Sequence, residues 1–584
     1  MKNRMKYLAL ALAVLMFAGA LAACNTNSGT TTTAGGTSTT AGGSTTTAAA
    51  ATTGGAAADD EYKVLRYGVS SYNGMHMPIM TDNVYDSQFC NLVFEALVDL
   101  DMEGAYVPEL AESWELSNNN HTYTFKLFPG TAFSDGTPLT TADIKFTYEM
   151  MADPGYNGPR AYVVNLMEGY DAYHAGTASE MTGIKIIDDS TISFTFTDGN
   201  AGPANIEYFG YGIMNKAYYE AANWDEFITK LSVPGEAGGS GPLMLVEYKP
   251  KEMVRFVKNE NYWNIANNEI KIDEVLCLEV PNENIIAALS TDQIDFGETG
   301  VNMDNLGAMQ AAPGVTPYNF LANGYTFMCF NCTNGIFDVK EVRQAFLYAL
   351  DRKSFIKAEY GDLAAVGLTP ISPVSWAFPD TSDMNPYDFD LAKADELLTG
   401  AGWIMGNDGI RYKDGQKLTV RWLVYTDSSW PGTLSGMASD SWKQAGIDLV
   451  IELMDFNTVS EKTMEAPIGE KDFDIYTMGF SLSVDPDPKG GLFDADTYGP
   501  GGYDASGYYN EYAQSLIAKG RSEFDQDKRA EVYKEWGILM NEEVPTTIVA
   551  YRNYLWGFRD RLQGMNITAL CDWSYSIFNI DLVD

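Results

Sequence analysis

An α/β architecture of several domains, carried behind an export leader and a tether, is what three features of the sequence predict. Stretches of two-residue period alternate with capped stretches of helical period along the chain. From Asp59 to Asp584 the chain is longer than one hydrophobic core organises. Ahead of Asp59 the composition changes to a tract of Thr, Gly and Ala without a single charge.

The leader comes first. Lys2, Arg4 and Lys6 precede an apolar run from Tyr7 to Ala23, which is the make-up of a secretory signal. A membrane-spanning helix needs about 20 apolar residues continuing onward, whereas this run ends in small residues directly at Cys24. Leu21-Ala22-Ala23-Cys24 resembles a lipobox, at which bacterial lipoprotein precursors are cut before a lipid-bearing cysteine. Residues 1–23 are therefore expected to be a lipoprotein signal peptide, and 24–58 a low-complexity linker lipidated at Cys24. With no large apolar residue to bury, that linker stays a disordered coil spanning on the order of 30 Å.

Strands follow from alternation. In His121-Thr-Tyr-Thr-Phe-Lys-Leu-Phe128, Tyr123, Phe125 and Leu127 share one face, and Ile192, Phe194 and Phe196 repeat the pattern. Helices are announced by caps. Thr140 with Asp143 forms a capping box ahead of the stripe Ile144, Tyr148 and Met151. Asp338 and Glu341 stand in the same relation to Val342, Phe346 and Ala349, and a third helix starts after Asp390 and stops at Gly400 to Gly402.

Composition narrows function. With 79 acidic against 38 basic residues and a net charge of -41, the chain carries no basic patch for nucleic acid. Aromatics make up 13% of it, with 35 Tyr and 11 Trp, enough to line a ligand cleft as well as a core. After Cys24, the cysteines Cys90, Cys277, Cys329, Cys332 and Cys571 are odd in number and irregular in spacing, against a disulfide framework. Cys329 and Cys332 lack a second pair for zinc and read as parts of a buried strand. His76 between Met75 and Met77 reads as packing, and Pro486, Pro488 and Lys489 spoil a calcium loop around Asp485 and Asp487. No metal or other cofactor is expected. Without a Gly-x-Ser-x-Gly elbow, a His-Glu-x-x-His pair or a P-loop, a lipid-anchored hydrolase is the weaker alternative to a binding protein.

The stretch from Leu92 to Met150, beginning LVFEALVDLDMEGAYVPELAESWEL, closely resembles the signature region of the family 5 solute-binding proteins, the dipeptide- and oligopeptide-binding components of ABC importers. The blocks GSGPLMLVEYKP (239–250), IIAALSTDQIDF (285–296), FDVKEVRQAFLYALDR (337–352), DFDIYTMGFSLSVDPDP (472–488) and DQDKRAEVYKEW (525–536) follow in the family's order. This resemblance implies an α/β, two-lobed periplasmic-binding-protein type 2 fold with an extra inserted domain. Lobe 1 is expected from 59–98 with 228–320 and 550–584, the insert at 99–227, and lobe 2 at 321–549. Crossovers are expected near Ala312 to Phe327 and Val544 to Tyr551, where Pro313, Gly314, Pro317 and Pro545 punctuate the chain. It further implies an exported monomer, held on the outer face of the cytoplasmic membrane or in the periplasm, that passes a small solute to permease subunits.

In peptide-binding members an aspartate three residues before the Asp-Pro-Asp segment pairs with the ligand's ammonium, and here that position is Leu482. Unless Asp485 substitutes, Ser481 and Ser483 offer hydrogen bonds but no charge. The resemblance also points to Tyr72 and Asn73 in the loop after the first strand, and to Trp376, Tyr425, Trp430 and Phe480 in the second lobe. An aromatic, serine-containing cleft of this kind suits an oligopeptide or an oligosaccharide, and both remain open on the sequence.

Overall fold

Strand Thr546–Arg559 organises the protein, because its two ends belong to different halves of one large sheet. The structure is a computed structural model and describes residues 62–81, 83–224 and 238–583. The expected signal peptide, the linker and Cys24 lie outside the described residues.

Thr546 to Ala550 pair antiparallel with strand Gly324–Phe330, and Asn553 to Arg559 pair antiparallel with Val315–Leu321. Beyond Gly324–Phe330 the sheet continues through Ile475–Ser481, Thr419–Tyr425 and Asp448–Met454. On the other side it runs through Phe296–Thr299, Val64–Val69, Glu274–Glu279, Met253–Lys258 and Leu243–Lys249. The two halves are thus joined at two narrow crossings, Leu321 to Gly324 and Ala550 to Asn553. The first lies inside the expected Ala312 to Phe327, whereas the second overlaps only the end of the expected Val544 to Tyr551 and runs two residues past it.

Burial explains why these strands form. Gly324–Phe330 is buried at every residue, so its sequence is a continuous apolar run, as a strand covered on both faces requires. Cys329 lies in this strand as a free thiol, whereas Cys332, expected there too, falls in the turn two residues past its end; burial pushes both up in pKa, Cys332 to about 12. The core of the second half gathers residues from Tyr325 to Tyr551, including Trp422, Trp442 and Trp536. In the first half Tyr67 stacks on Phe296 at 4.6 Å, and Phe296 on Trp556 at 6.3 Å.

A separate antiparallel sheet of Ala111–Ser117, Thr122–Leu127, Thr191–Thr195 and Ile184–Asp188 has its own aromatic core. Tyr123, Phe125, Ile192, Phe194 and Phe196 face inward there, on the faces that the alternation predicts. Helix Thr141–Ala152 packs beside it, with Thr140 N donating to Asp143 Oδ2 at 2.9 Å and Ala142 N to Thr140 Oγ1 at 3.3 Å. Helix Leu391–Gly400 is capped by Asp390, which accepts from Ala392 N at 2.9 Å and Lys393 N at 3.0 Å. The expected cap at Asp338 does not form: helix Lys340–Tyr348 begins after Val339 with no side-chain cap. Its start is tied down by Arg343 instead, which donates to the carbonyls of Phe337 at 2.8 Å and Glu543 at 2.6 Å.

Candidate functional site: the cleft at the crossings

Where the chain crosses between halves, strand Ile475–Ser481 ends. Ser481 pairs with Gly324, and the crossing residue Asn323 holds the next turn of chain by donating Nδ2 to the carbonyls of Leu482 and Ser483, both at 3.0 Å. Leu482 N returns a bond to Asn323 O at 2.9 Å. The aliphatic side chain of Leu482 then packs against the second-half core. Ser481 and Ser483, on either side of it, are exposed.

Asp485 does not stand free. Both its oxygens are held by Arg529, Nη1 to Oδ2 at 2.5 Å and Nη2 to Oδ1 at 2.7 Å, while Arg529 Nε donates to Gly520 O at 2.8 Å. The guanidinium lies 5.6 Å from the Trp376 ring and 5.2 Å from that of Tyr533. With the pair almost wholly removed from water, the Asp485 charge is already matched and is not available to replace the aspartate missing at Leu482. Asp487 is likewise matched, by Arg521 at 3.2 Å.

These ion pairs face the inserted sheet. Gly202, just before the 3-10 helix Pro203–Phe209 of the insert, lies so close to helix Glu511–Ser522 that a Cβ there would stand 2.4 Å from Arg521 O. Next to it, burial and the nearby charges of Asp485 and Asp487 push the Glu207 carboxyl up to about 8. Tyr208 lies beside the Arg521 guanidinium. The two sides of the cleft therefore touch at this end.

The expected site residues divide by burial. Trp376 is 38% exposed, over Arg529, and Phe480 is half-buried between Tyr325 at 6.0 Å and Tyr503 at 5.4 Å. Tyr425 and Trp430 are buried against each other with ring centroids 6.0 Å apart. Tyr72 is buried between Phe89 and Tyr248, and Asn73 is exposed beside it with its backbone N–H donating to Asp86 Oδ2 at 2.8 Å. His76 packs against the same Tyr248 ring at 5.0 Å, and burial lowers its pKa to about 4. Trp376, Phe480, Ser481, Ser483 and Asp485 thus share the second-half wall, whereas Tyr72 belongs to the first-half core.

Sequence reasoning missed the floor. On Thr546–Arg559, Arg552 and Tyr554 continue the face of Trp556 toward the crossing, and Glu298 lies directly across from Trp556 in register. The Arg552 guanidinium sits 5.3 Å over the Tyr554 ring. Its charge acts on Glu298 and Tyr85 from the first half and on Tyr360 and Tyr425 from the second. Tyr85 Oη and Ser70 Oγ are 3.0 Å apart, and Ser481 lies beside the Tyr554 hydroxyl. The alternation Arg552, Tyr554, Trp556, Phe558 was readable, but nothing in the sequence marked Glu298 as its neighbour. Among the described residues no group of three His, Cys, Asp or Glu is placed to hold a metal ion.

A floor crossed by two short segments, with polar side chains from both halves above it, is the geometry of a protein that encloses a small molecule. The model of bacterial extracellular solute-binding proteins, family 5 (middle), matches residues 105–501. The oligopeptide-binding protein AppA of Bacillus subtilis is 25% identical over 476 residues, covering 81% of this chain and 83% of its own. Di/tripeptide-binding protein 3 of Pseudomonas aeruginosa is 26% identical over 493 residues, with 81% and 86% covered. The solved structure of Bacillus subtilis AppA in complex with a nonapeptide superposes with a TM-score of 0.74 at 22% identity, covering 90% of this chain and 100% of that one. Fold, cleft and family match agree: the chain belongs to the bacterial extracellular solute-binding proteins of family 5, two-lobed receptors rather than enzymes.

Proposed function

We propose that the protein captures an oligopeptide in the cleft between its lobes, closes on it, and delivers it to the permease subunits of an ABC importer. The observation that carries this reading is the cleft floor, where the halves are joined by two short crossings and Ser481, Ser483, Arg552 and Glu298 stand at the junction. Relatives named for oligopeptides and di/tripeptides support the ligand class. Leu482 in place of an aspartate favours a second reading, an oligosaccharide ligand, since a sugar brings no ammonium to be matched.

In this reading lobe 1 comprises 59–98, 228–320 and 550–584 with the insert 99–227, and lobe 2 comprises 321–549. The second-half cluster, which runs from Tyr325 to Tyr551, supports these limits to within two residues. Ser481, Ser483, Phe480 and Trp376 contact the ligand from lobe 2 and Asn73 from lobe 1, while Tyr72, Tyr425 and Trp430 shape the walls from behind. Asp485 acts by holding Arg529 in place. Cys24 carries the lipid that keeps this monomer at the outer face of the membrane. Protein purified from its own cells and examined by native mass spectrometry tests the ligand class: bound oligopeptides are expected, and bound oligosaccharide with no peptide would overturn the assignment.

A further inference from the structure

Of the described carboxylates around the cleft, Glu298 and Glu207 are the two without a hydrogen-bond donor or an ion-pair partner. Asp485 and Asp487 are spent on Arg529 and Arg521. Glu207 sits among those acids, at the contact between insert and lobe 2. Among the described residues the Glu298 carboxylate accepts no hydrogen bond and has no cation within 4.0 Å, although Arg552 is near enough to act on it through space. The hydroxyls around it are also committed, Tyr85 to Ser70 and Tyr554 to Ser481.

Its setting is rigid. Strand Phe296–Thr299 lies in the middle of the sheet, with Phe296 and Gly297 parallel to Tyr67 and Gly68, and Glu298 antiparallel to Trp556. Phe296, one step deeper on the same face, packs with Tyr67 at 4.6 Å and Trp556 at 6.3 Å in a buried cluster of three rings. Glu298 therefore stands where the aromatic layer opens into the cleft, surrounded by protein yet reachable by solvent. A carboxylate so placed loses water without gaining a donor, a cost that a ligand cation would remove.

We propose that Glu298 is the carboxylate that receives the ligand's ammonium group, in place of the aspartate that Leu482 replaces, and that it makes this receptor prefer peptides with a free amino terminus. The proposal rests on the peptide reading above. Arg552 serves as a positioning residue, whose charge offsets part of what burial does to the carboxyl. Consistent with an unmet charge, burial pushes the Glu298 carboxyl up to about 7 against the pull of Arg552. An arriving ammonium would bring it back down, so binding takes up the ionised form.

The test uses the full chain, as wild type, Glu298→Gln and Glu298→Asp, incubated with a random pentapeptide mixture or with the same mixture after N-acetylation. Retained peptide is counted by mass spectrometry after gel filtration. Wild type is expected to retain the free mixture about a hundredfold better, the loss that follows when one member of a buried charge pair is removed. Glu298→Gln should retain both mixtures alike, and Glu298→Asp should restore part of the preference, which a merely structural role would not do. A Glu298→Gln protein that keeps the wild-type preference overturns the proposal, as does a wild type without one. Should wild type retain neither mixture, the peptide reading itself fails and takes the proposal with it.

Discussion

At the residue scale the buried charges decide most. Arg529 is enclosed with Asp485, and removing one member of such a pair leaves the other without water or partner. Arg529→Ala is therefore expected to cost about 3 to 5 kcal/mol in urea unfolding, and a change below about 1 kcal/mol would show the pair to be solvated. His76 gives a pH test. Burial lowers its pKa from 6.5 to about 4, so the unfolded chain takes up the proton first. Its contribution is fully present above 6.5 and is lost as pH falls toward 4, about 3 kcal/mol in all. Glu95, raised by burial to about 7 while Tyr262 and Trp263 donate to it, acts with the opposite sign and loses stability as pH rises from 4.5 through 7. The comparison is consequently between wild type and His76→Phe at pH 7 and pH 4.5: the wild type should lose more stability than the variant on acidification, and parallel losses would contradict the assignment. Residue identity alone revealed Asp485 as a candidate but not its engagement, because Arg529 is distant in sequence and meets it only in the fold. Glu298 was one acid among 79 for the same reason.

At the element scale local rules were legible wherever the signal was local. Thr140 with Asp143, and Asp390, cap the helices that they announce, because a cap needs only neighbours within three residues. Asp390→Ala should therefore cost about 1 kcal/mol in thermal or urea unfolding, and no measurable loss would mean that the end of the helix is held by tertiary contacts instead. Asp338 failed as a cap since a long-range partner, Arg343 on Glu543 O, fixes that end. The hinge strand was only partly readable: Pro545 marked its start, but its passage from one half of the sheet to the other depends on partners that the sequence cannot specify. Gly202 belongs here too. Its near contact with Arg521 O leaves no room for a side chain when insert and second lobe meet. Gly202→Val should weaken ligand binding at least tenfold by calorimetry while leaving the melting temperature of the empty protein within a degree or two. A variant that binds as tightly as wild type would show that this contact is not part of the closed state.

For the whole molecule, the tether and the two lobes make separate claims. Cys24→Ala should fold normally and leave the membrane fraction, and a variant that still pellets and resists high salt would contradict lipid anchoring. The two-lobed plan was legible because its blocks occur in a fixed order, whereas the lobe limits depend on where one strand changes partners. The central claim is closure on a peptide between halves joined at two short crossings. Small-angle scattering of the full chain, with and without saturating amounts of a peptide that it retains, tests that claim most directly. A smaller radius of gyration is expected on saturation; an unchanged radius across a titration that calorimetry shows to be complete would rule closure out.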